Sequence, residues 1–167
     1  MLKRFFPDIY IDNVFDLPLT ELKSKNIKAL FFDIDNTVAP FDEDHASEEV
    51  QKFFEELASL GYKLCLFSNN SKKRVEIYNL KLNVHAVHTA GKPGIKKLQA
   101  VLKEFGITKE QAAFVGDQVF TDIYCAHRAG LLSILTKPVC DRDQLITKVK
   151  RGAERWVLKA YERSFLK

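Results

Sequence analysis

The chain has 167 residues, 46% of them hydrophobic and 29% charged, which is the size and composition of one globular domain with enough apolar residues for a core. No apolar stretch approaches the roughly 20 residues that span a bilayer, and residues 1–10 lack the long apolar run and small-residue cleavage site of a secretory signal, so a spanning or secreted protein is not expected. Net charge is +4 but uneven: residues 142–167 carry eight basic and three acidic side chains, a net +5, so the other 141 residues sum to −1. Residues 27–34 ("IKALFFDI") form a nearly continuous apolar run, as in a strand buried on both faces of a parallel sheet. Residues 47–60 follow with Val50, Phe53, Phe54, Leu57 and Leu60 at helical spacing. Ser47 suits the N-cap, Glu48 and Glu49 the first turn, and Gly61 the exit.

Residues 62–67 predict a second strand, about 71–80 a helix, and 84–88 a short third strand. Pro93 is expected in the first turn of a helix running to about residue 105. "TKEQ" at 108–111 has the pattern of a capping box. A fourth strand is expected at 112–115, then a helix to Ala129 closed by Gly130, a fifth strand at 131–135 and a long basic helix at 142–166. Strands alternating with helices imply one domain over 1–167, an α/β fold with a doubly wound parallel sheet. Such sheets bind ligands beyond the carboxyl ends of their strands. Cys65, Cys125 and Cys140 are odd in number and lack CxxC spacing, so neither a disulfide frame nor a zinc cluster is indicated, and a reducing, cytosol-like compartment is expected. His85 and His88 lack cysteine partners and read as ordinary core or surface histidines.

Four strand ends carry polar residues in one relative place: "DIDNT" (33–37), "SNN" (68–70), "GKPG" (91–94) and "GDQVFTD" (116–122). Each alone has a plain structural explanation as turn, cap or solvated lysine; in this joint order they fit phosphoryl transfer. Asp33 and Asp35 lie two apart, and extended geometry would point them to one side. Carboxylates there repel unless a cation compensates them, and Asp117 can complete an oxygen cluster for Mg²⁺. One aspartate can then attack phosphorus, while the other protonates the leaving alkoxide and later takes a proton from water. Lys92 and Ser68 would hold phosphoryl oxygens. Asn36, Thr37 and Asn69 are further candidates to contact substrate, and backbone N–H groups beyond Asn69 and after Thr37 are expected as donors.

From about residue 27 to 138 the chain resembles the haloacid dehalogenase (HAD) superfamily of phosphatases. The pattern DxDx[TV] falls on Asp33, Asp35 and Thr37, the Ser/Thr motif on Ser68, the lysine motif on Lys92, and GDxxxxD on Gly116, Asp117 and Asp122. The resemblance implies a HAD-like Rossmannoid fold, Asp33 as nucleophile and Asp35 as general acid/base. It implies Mg²⁺ bound by Asp33, the Asp35 backbone carbonyl and Asp117, with Asp122 supporting. A receiver domain would need an aspartate ending the third strand, where "VHAVHTA" has none.

Asp35 to Ser68 spans 33 positions and Ser68 to Lys92 spans 24, too few for an inserted cap domain. A capless, open site suits a phosphate on a lipid head group, a nucleic-acid end or a protein, or a small substrate with a partner as lid. In the basic C-terminal segment Leu145, Ile146, Val149, Ala153, Trp156, Val157 and Ala160 fall on one helical stripe. That stripe is expected to pack, while the basic face is free to meet anionic lipid at the inner face of a membrane. No basic stripe interleaved with aromatics favours nucleic acid. "FFPDIYIDNVFDLPLTELKSKNIKALFFDIDNTV", "FSNN", "GKPG" and "VGDQVFTDI" resemble the YqeG-type branch, related to mitochondrial phosphatidylglycerophosphate phosphatases. This implies removal of the terminal phosphate of phosphatidylglycerophosphate. The alternatives are a phosphatase of a small metabolite or nucleic-acid end, and a membrane- or RNA-associated regulatory module.

Overall fold

The computed structural model describes residues 2–140 and 145–165. Among the described residues six strands, β1 (Ile9–Ile11), β2 (Ala29–Phe32), β3 (Lys63–Phe67), β4 (His85–Val87), β5 (Ala112–Gly116) and β6 (Leu132–Thr136), form one sheet in the order β1-β6-β5-β2-β3-β4. Every pairing is parallel. The helices are α1 (Leu19–Ser24), α2 (Glu48–Ser59), α3 (Lys72–Asn79), α4 (Lys96–Phe105), α5 (Tyr124–Ala129) and α6 (Leu145–Phe165). The expected doubly wound α/β architecture is present, with one more strand than the sequence pattern reveals.

Strand β2 is wholly buried, and its alternating side chains divide between two cores. Leu30 and Phe32 meet Leu22 of α1, Phe53, Phe54 and Leu57 of α2, and Val75 and Tyr78 of α3. Ala29 and Phe31 meet Leu98, Val101 and Leu102 of α4 and Cys125 and Ala126 of α5 on the other face. Burial of Phe31 and Phe32 favours folding by roughly 1.5–3 kcal/mol each. Helix caps follow the local sequence: Ser47 accepts from the Val50 N–H, Ser71 from the Arg74 N–H, and Gln111 from the Thr108 N–H. The cysteines are all free thiols.

Four expectations change. Strand β1 is missed by the sequence pattern because three residues are too short to show a period; its pairing with β6, Ile9 opposite Ile134, defines it. Helix α1, six residues long with Leu22 its one buried residue, escapes for the same reason. Pro93 does not open a helix: it follows a cis Lys92–Pro93 peptide in a turn closed by Gly94 N–H to Gly91 carbonyl (2.7 Å), and α4 begins at Lys96. After β5 the chain makes a widened turn at Val119–Ile123, with the Ile123 N–H reaching back to the Gln118 carbonyl, before α5 starts.

Helix α6 also departs from its expected stripe; residues 142–144 and 166 of that expectation lie outside the described residues. Glu154 and Val157 are buried, with Leu158 and Tyr161 partly so, while Trp156 is 64% exposed. Val157 and Leu158 cluster with Leu135 of β6 and Tyr10 of β1, as expected of a helix packed on the sheet, and also with Leu2, Phe5, Phe6 and Phe120. The N-terminal segment, whose ordering the sequence did not indicate, thus shares with β1 and β6 the surface on which α6 rests, and Trp156 lies on the opposite, outward face.

Candidate active site

From β2 the chain winds outward through β3 and β4. It then returns to place β5 on the other side of β2 before continuing to β6. The crevice at the carboxyl ends of β2 and β5 is therefore the switch point of the sheet. Asp33 leaves β2 there, its N–H still paired to the Val115 carbonyl of β5 at 3.0 Å. Asp117 leaves β5 one residue further on. Asp122 comes in from the widened turn and is fully buried. Oxygens of Asp33, Asp117 and Asp122 lie within 4.8 Å of one another.

Lys92 enters from the turn before α4. Its Nζ lies 2.5 Å from Asp33 Oδ1 and 2.8 Å from Asp122 Oδ1, with 2% of its side chain exposed. Gly116 permits this arrangement through close approach, since a Cβ there would overlap the Asp122 side chain. Asp122 Oδ2 accepts from the Gln118 N–H at 3.0 Å, and Thr37 Oγ1 donates to Asp117 Oδ1 at 3.2 Å.

Burial pushes the Asp33 carboxyl up to about 7 against the pull of the Lys92 ammonium, with Asp122 and Asp35 adding to the rise. Burial alone would lower Lys92, but Asp122 and Asp33 together hold it above the ordinary lysine value. Lys92 is thus kept charged. With all three carboxylates ionised, beside one ammonium, the desolvated cluster would carry two net negative charges, a state that the raised Asp33 carboxyl resists until a cation compensates it. An all-oxygen, doubly negative donor set is what a hard divalent cation requires, so the residues fit Mg²⁺.

Asp35 does not join its carboxylate to this cluster. Extended geometry ends at Asp33; the Thr37, Val38 and Ala39 N–H groups all fold back on the Ile34 carbonyl, and Asn36 takes a positive φ of 62°. The turn carries the Asp35 side chain to β3 and α3, where Asp35 Oδ2 accepts from Asn70 Nδ2 at 3.0 Å and Oδ1 from Arg74 Nη2 at 3.1 Å. The repulsion expected between Asp33 and Asp35 is therefore reduced, to the smallest of the influences on Asp33, by rotation and a guanidinium. The sequence reading missed Asn70 and Arg74; the available signal was their position in the strand-to-helix turn after Ser68.

Ser68 is buried at the end of β3 and accepts from the Asn70 N–H at 3.1 Å, which leaves its hydroxyl proton for another acceptor. Asn69, expected to touch substrate, instead clamps the Lys92 backbone: its Oδ1 accepts from the Lys92 N–H (2.8 Å) and its Nδ2 donates to the Lys92 carbonyl (3.1 Å). Asn36 likewise has its Oδ1 engaged by Cys140 Sγ and its carbonyl by the Val139 N–H. The backbone donors expected after Thr37 and beyond Asn69 are spent on the turns themselves, on the Ile34 carbonyl and on Ser68 Oγ.

A family model described as "Mitochondrial PGP phosphatase" matches residues 2–140. The chain is 34% identical over 164 residues to the probable phosphatase YqeG of Bacillus subtilis (strain 168), covering 98% of this chain and 95% of that protein. It is 28% identical over 156 residues to the chloroplastic/mitochondrial phosphatidylglycerophosphate phosphatase 1 of Arabidopsis thaliana, covering 87% of this chain and 45% of the plant protein. Among solved structures, the cobalt-bound deoxy-D-mannose-octulosonate 8-phosphate phosphatase of Haemophilus influenzae aligns with a TM-score of 0.54 at 15% identity, covering 87% of this chain and 99% of that one. This last likeness is one of fold.

Proposed function

The chain belongs to the mitochondrial PGP phosphatase family and is a HAD-type phosphatase, and on that footing we propose that it hydrolyses the terminal phosphomonoester of phosphatidylglycerophosphate, releasing phosphatidylglycerol and inorganic phosphate. The observation that carries the reading is the buried cluster of Asp33, Asp117, Asp122 and Lys92 at the switch point of the sheet. Asp33 attacks phosphorus, forming the Asp33–phosphate bond as the bond to the lipid glycerol oxygen breaks. Asp35 gives its proton to that oxygen. Water then attacks the aspartyl-phosphate, loses a proton to Asp35, and releases phosphate and the Asp33 carboxylate. Lys92 fixes the Asp33 carboxylate and offsets charge on the phosphoryl oxygens, and the Ser68 hydroxyl donates to one of them. Mg²⁺, held by Asp33, Asp117 and the Asp35 carbonyl with Asp122 in support, would neutralise the cluster and the phosphate together.

The open setting favours a large substrate. Between Asp33 and Ser68 the chain holds a turn, α2 and β3, and between Ser68 and Lys92 only α3 and β4, so no domain is inserted in either stretch to cover the crevice. Helix α6 supplies a means of reaching lipid at the cytoplasmic face of an anionic membrane. Arg155, Trp156, Lys159 and Arg163 are exposed on one face, opposite the packed Glu154, Val157 and Tyr161. An exposed tryptophan among cations suits the head-group region, and each cation near an anionic surface is worth about 1 kcal/mol. Among the described residues no helix is long and apolar enough to cross a membrane.

The test is phosphate release from phosphatidylglycerophosphate in vesicles, from soluble sugar and nucleotide phosphates, and from a 5′-phosphorylated oligonucleotide. Parent and Asp33→Asn are compared, each with and without a chelator. The lipid should be preferred, and both the substitution and the chelator should abolish release. Soluble phosphates or oligonucleotide cleaved while the lipid is left intact would overturn the lipid assignment.

A further inference from the structure

We propose that Arg74, with Asn70, is a positioning residue that aims the Asp35 carboxylate at the leaving-group oxygen; the inference rests on the acid/base role given to Asp35 above. Asp35 opens a tight turn, and nothing in the carboxylate cluster holds its side chain. Its two oxygens are fixed instead from the neighbouring strand-to-helix turn, one by Asn70 Nδ2 at 3.0 Å and one by Arg74 Nη2 at 3.1 Å. Two donors on separate oxygens fix both the position and the plane of a carboxylate, which a proton donor needs at its heteroatom. Arg74 is itself held at its base, where its N–H is capped by Ser71 Oγ at 3.3 Å, and along its length, where the guanidinium lies 5.3 Å from the Tyr78 ring centroid.

A purely structural role fits Arg74 poorly. Its side chain is only 11% exposed, and among the described residues its buried Nε and Nη1 have no hydrogen-bond partner, nor has the nearby Tyr78 hydroxyl. Buried unpaired donors oppose folding. Arg74 also sits in the first turn of α3, which carries no acidic residue, at the helix end where a cation is disfavoured. An apolar side chain of similar length would suit the fold better on each count. A residue that breaks several local stability rules and makes one directed bond to a functional carboxylate is explained by what that bond does for the carboxylate.

The experiment uses kcat/KM, which covers only the steps through departure of the leaving group, for two substrates. One is p-nitrophenyl phosphate, whose phenolate leaves without a proton. The other is whichever alkyl phosphate the panel above ranks first, so the outcome does not depend on the lipid assignment. Arg74→Met should lose about 10–10²-fold on the alkyl phosphate, a part of the 10²–10⁴-fold that acid–base catalysis supplies. It should stay within about threefold of the parent on p-nitrophenyl phosphate. Arg74→Lys, which keeps the charge and guards against a misfolded methionine variant, should show the same substrate split to a smaller degree. In the Asp35→Asn background Arg74→Met should cost nothing further. Equal loss on both substrates, additive loss in the double variant, or parent-like kcat/KM on the alkyl phosphate would overturn the inference. Asp35→Asn with undiminished alkyl-phosphate turnover would instead remove the acid/base role, and this inference with it.

Discussion

Replacing Gly116 by alanine is expected to damage both the stability and the activity of this protein, although the new methyl group touches no substrate. The Cβ would occupy space now filled by the Asp122 side chain, and Asp122 is fully buried. Asp122 cannot yield freely, because one oxygen is 2.8 Å from Lys92 Nζ and the other accepts from the Gln118 N–H at 3.0 Å. Overpacking costs about 1–3 kcal/mol, and depriving one member of a buried ion pair of its partner costs about 3–5 kcal/mol. Lys92 keeps Asp33 as a second partner, so the combined penalty should be about 3–5 kcal/mol rather than the full sum. For a chain of this length that lowers the melting temperature by about 6–20 °C. The assay is thermal unfolding followed by far-UV circular dichroism, beside phosphate release on the same preparations. Adding Asp122→Gly, which takes away the Cβ, Cγ and Oδ2 that the new methyl would meet, should recover part of the lost stability without restoring turnover, since it removes the obstruction and the Lys92 partner together. A Gly116→Ala protein that melts within about 2 °C of the parent and keeps its turnover would refute the reasoning.

Two further outcomes are expected. The Asp33 carboxyl is raised in the folded chain from 3.8 to about 7, so its contribution to stability is fully present below about pH 4 and is lost as pH rises through about 7. With chelator present, Asp33→Asn should melt close to the parent at pH 4 and above it at pH 8; Mg²⁺ should raise the parent's melting temperature at pH 8 and leave the variant's unchanged, and a gap that does not move with pH would contradict this. Trp156, 64% exposed beside Lys159 and Arg163, should show a blue-shifted fluorescence with anionic vesicles but not zwitterionic ones, weakening as salt is raised. Trp156→Ser should bind vesicles less while turning over soluble phosphates at the parent's rate; an emission spectrum blind to anionic lipid would remove α6 as the membrane contact.

The amino-acid order by itself determined what depends on near neighbours. The run from Ala29 to Phe32 could only be an inner strand, because its side chains are apolar on both alternating faces. Ser47 and Ser71 set the starts of α2 and α3 because a cap acts across three residues. The residues of the cluster, Asp33, Lys92, Asp117 and Asp122, were legible as a set because each follows a recognisable strand or lies in the turn beyond it. What tertiary structure decided is which of these groups meet. The register that sets Phe32 level with Val115 brings Asp33 and Asp117 to one crevice, and a turn closed on the Ile34 carbonyl sends Asp35 away from it to Arg74. Asn69 became a clamp for the Lys92 backbone, and Val157 rather than Trp156 became the α6 residue buried against the sheet and the N-terminal phenylalanines. Local patterns carry the propensity of a segment, whereas a side chain's partner depends on strand register and on packing between residues far apart in the chain. Neither leaves a periodic mark in the sequence.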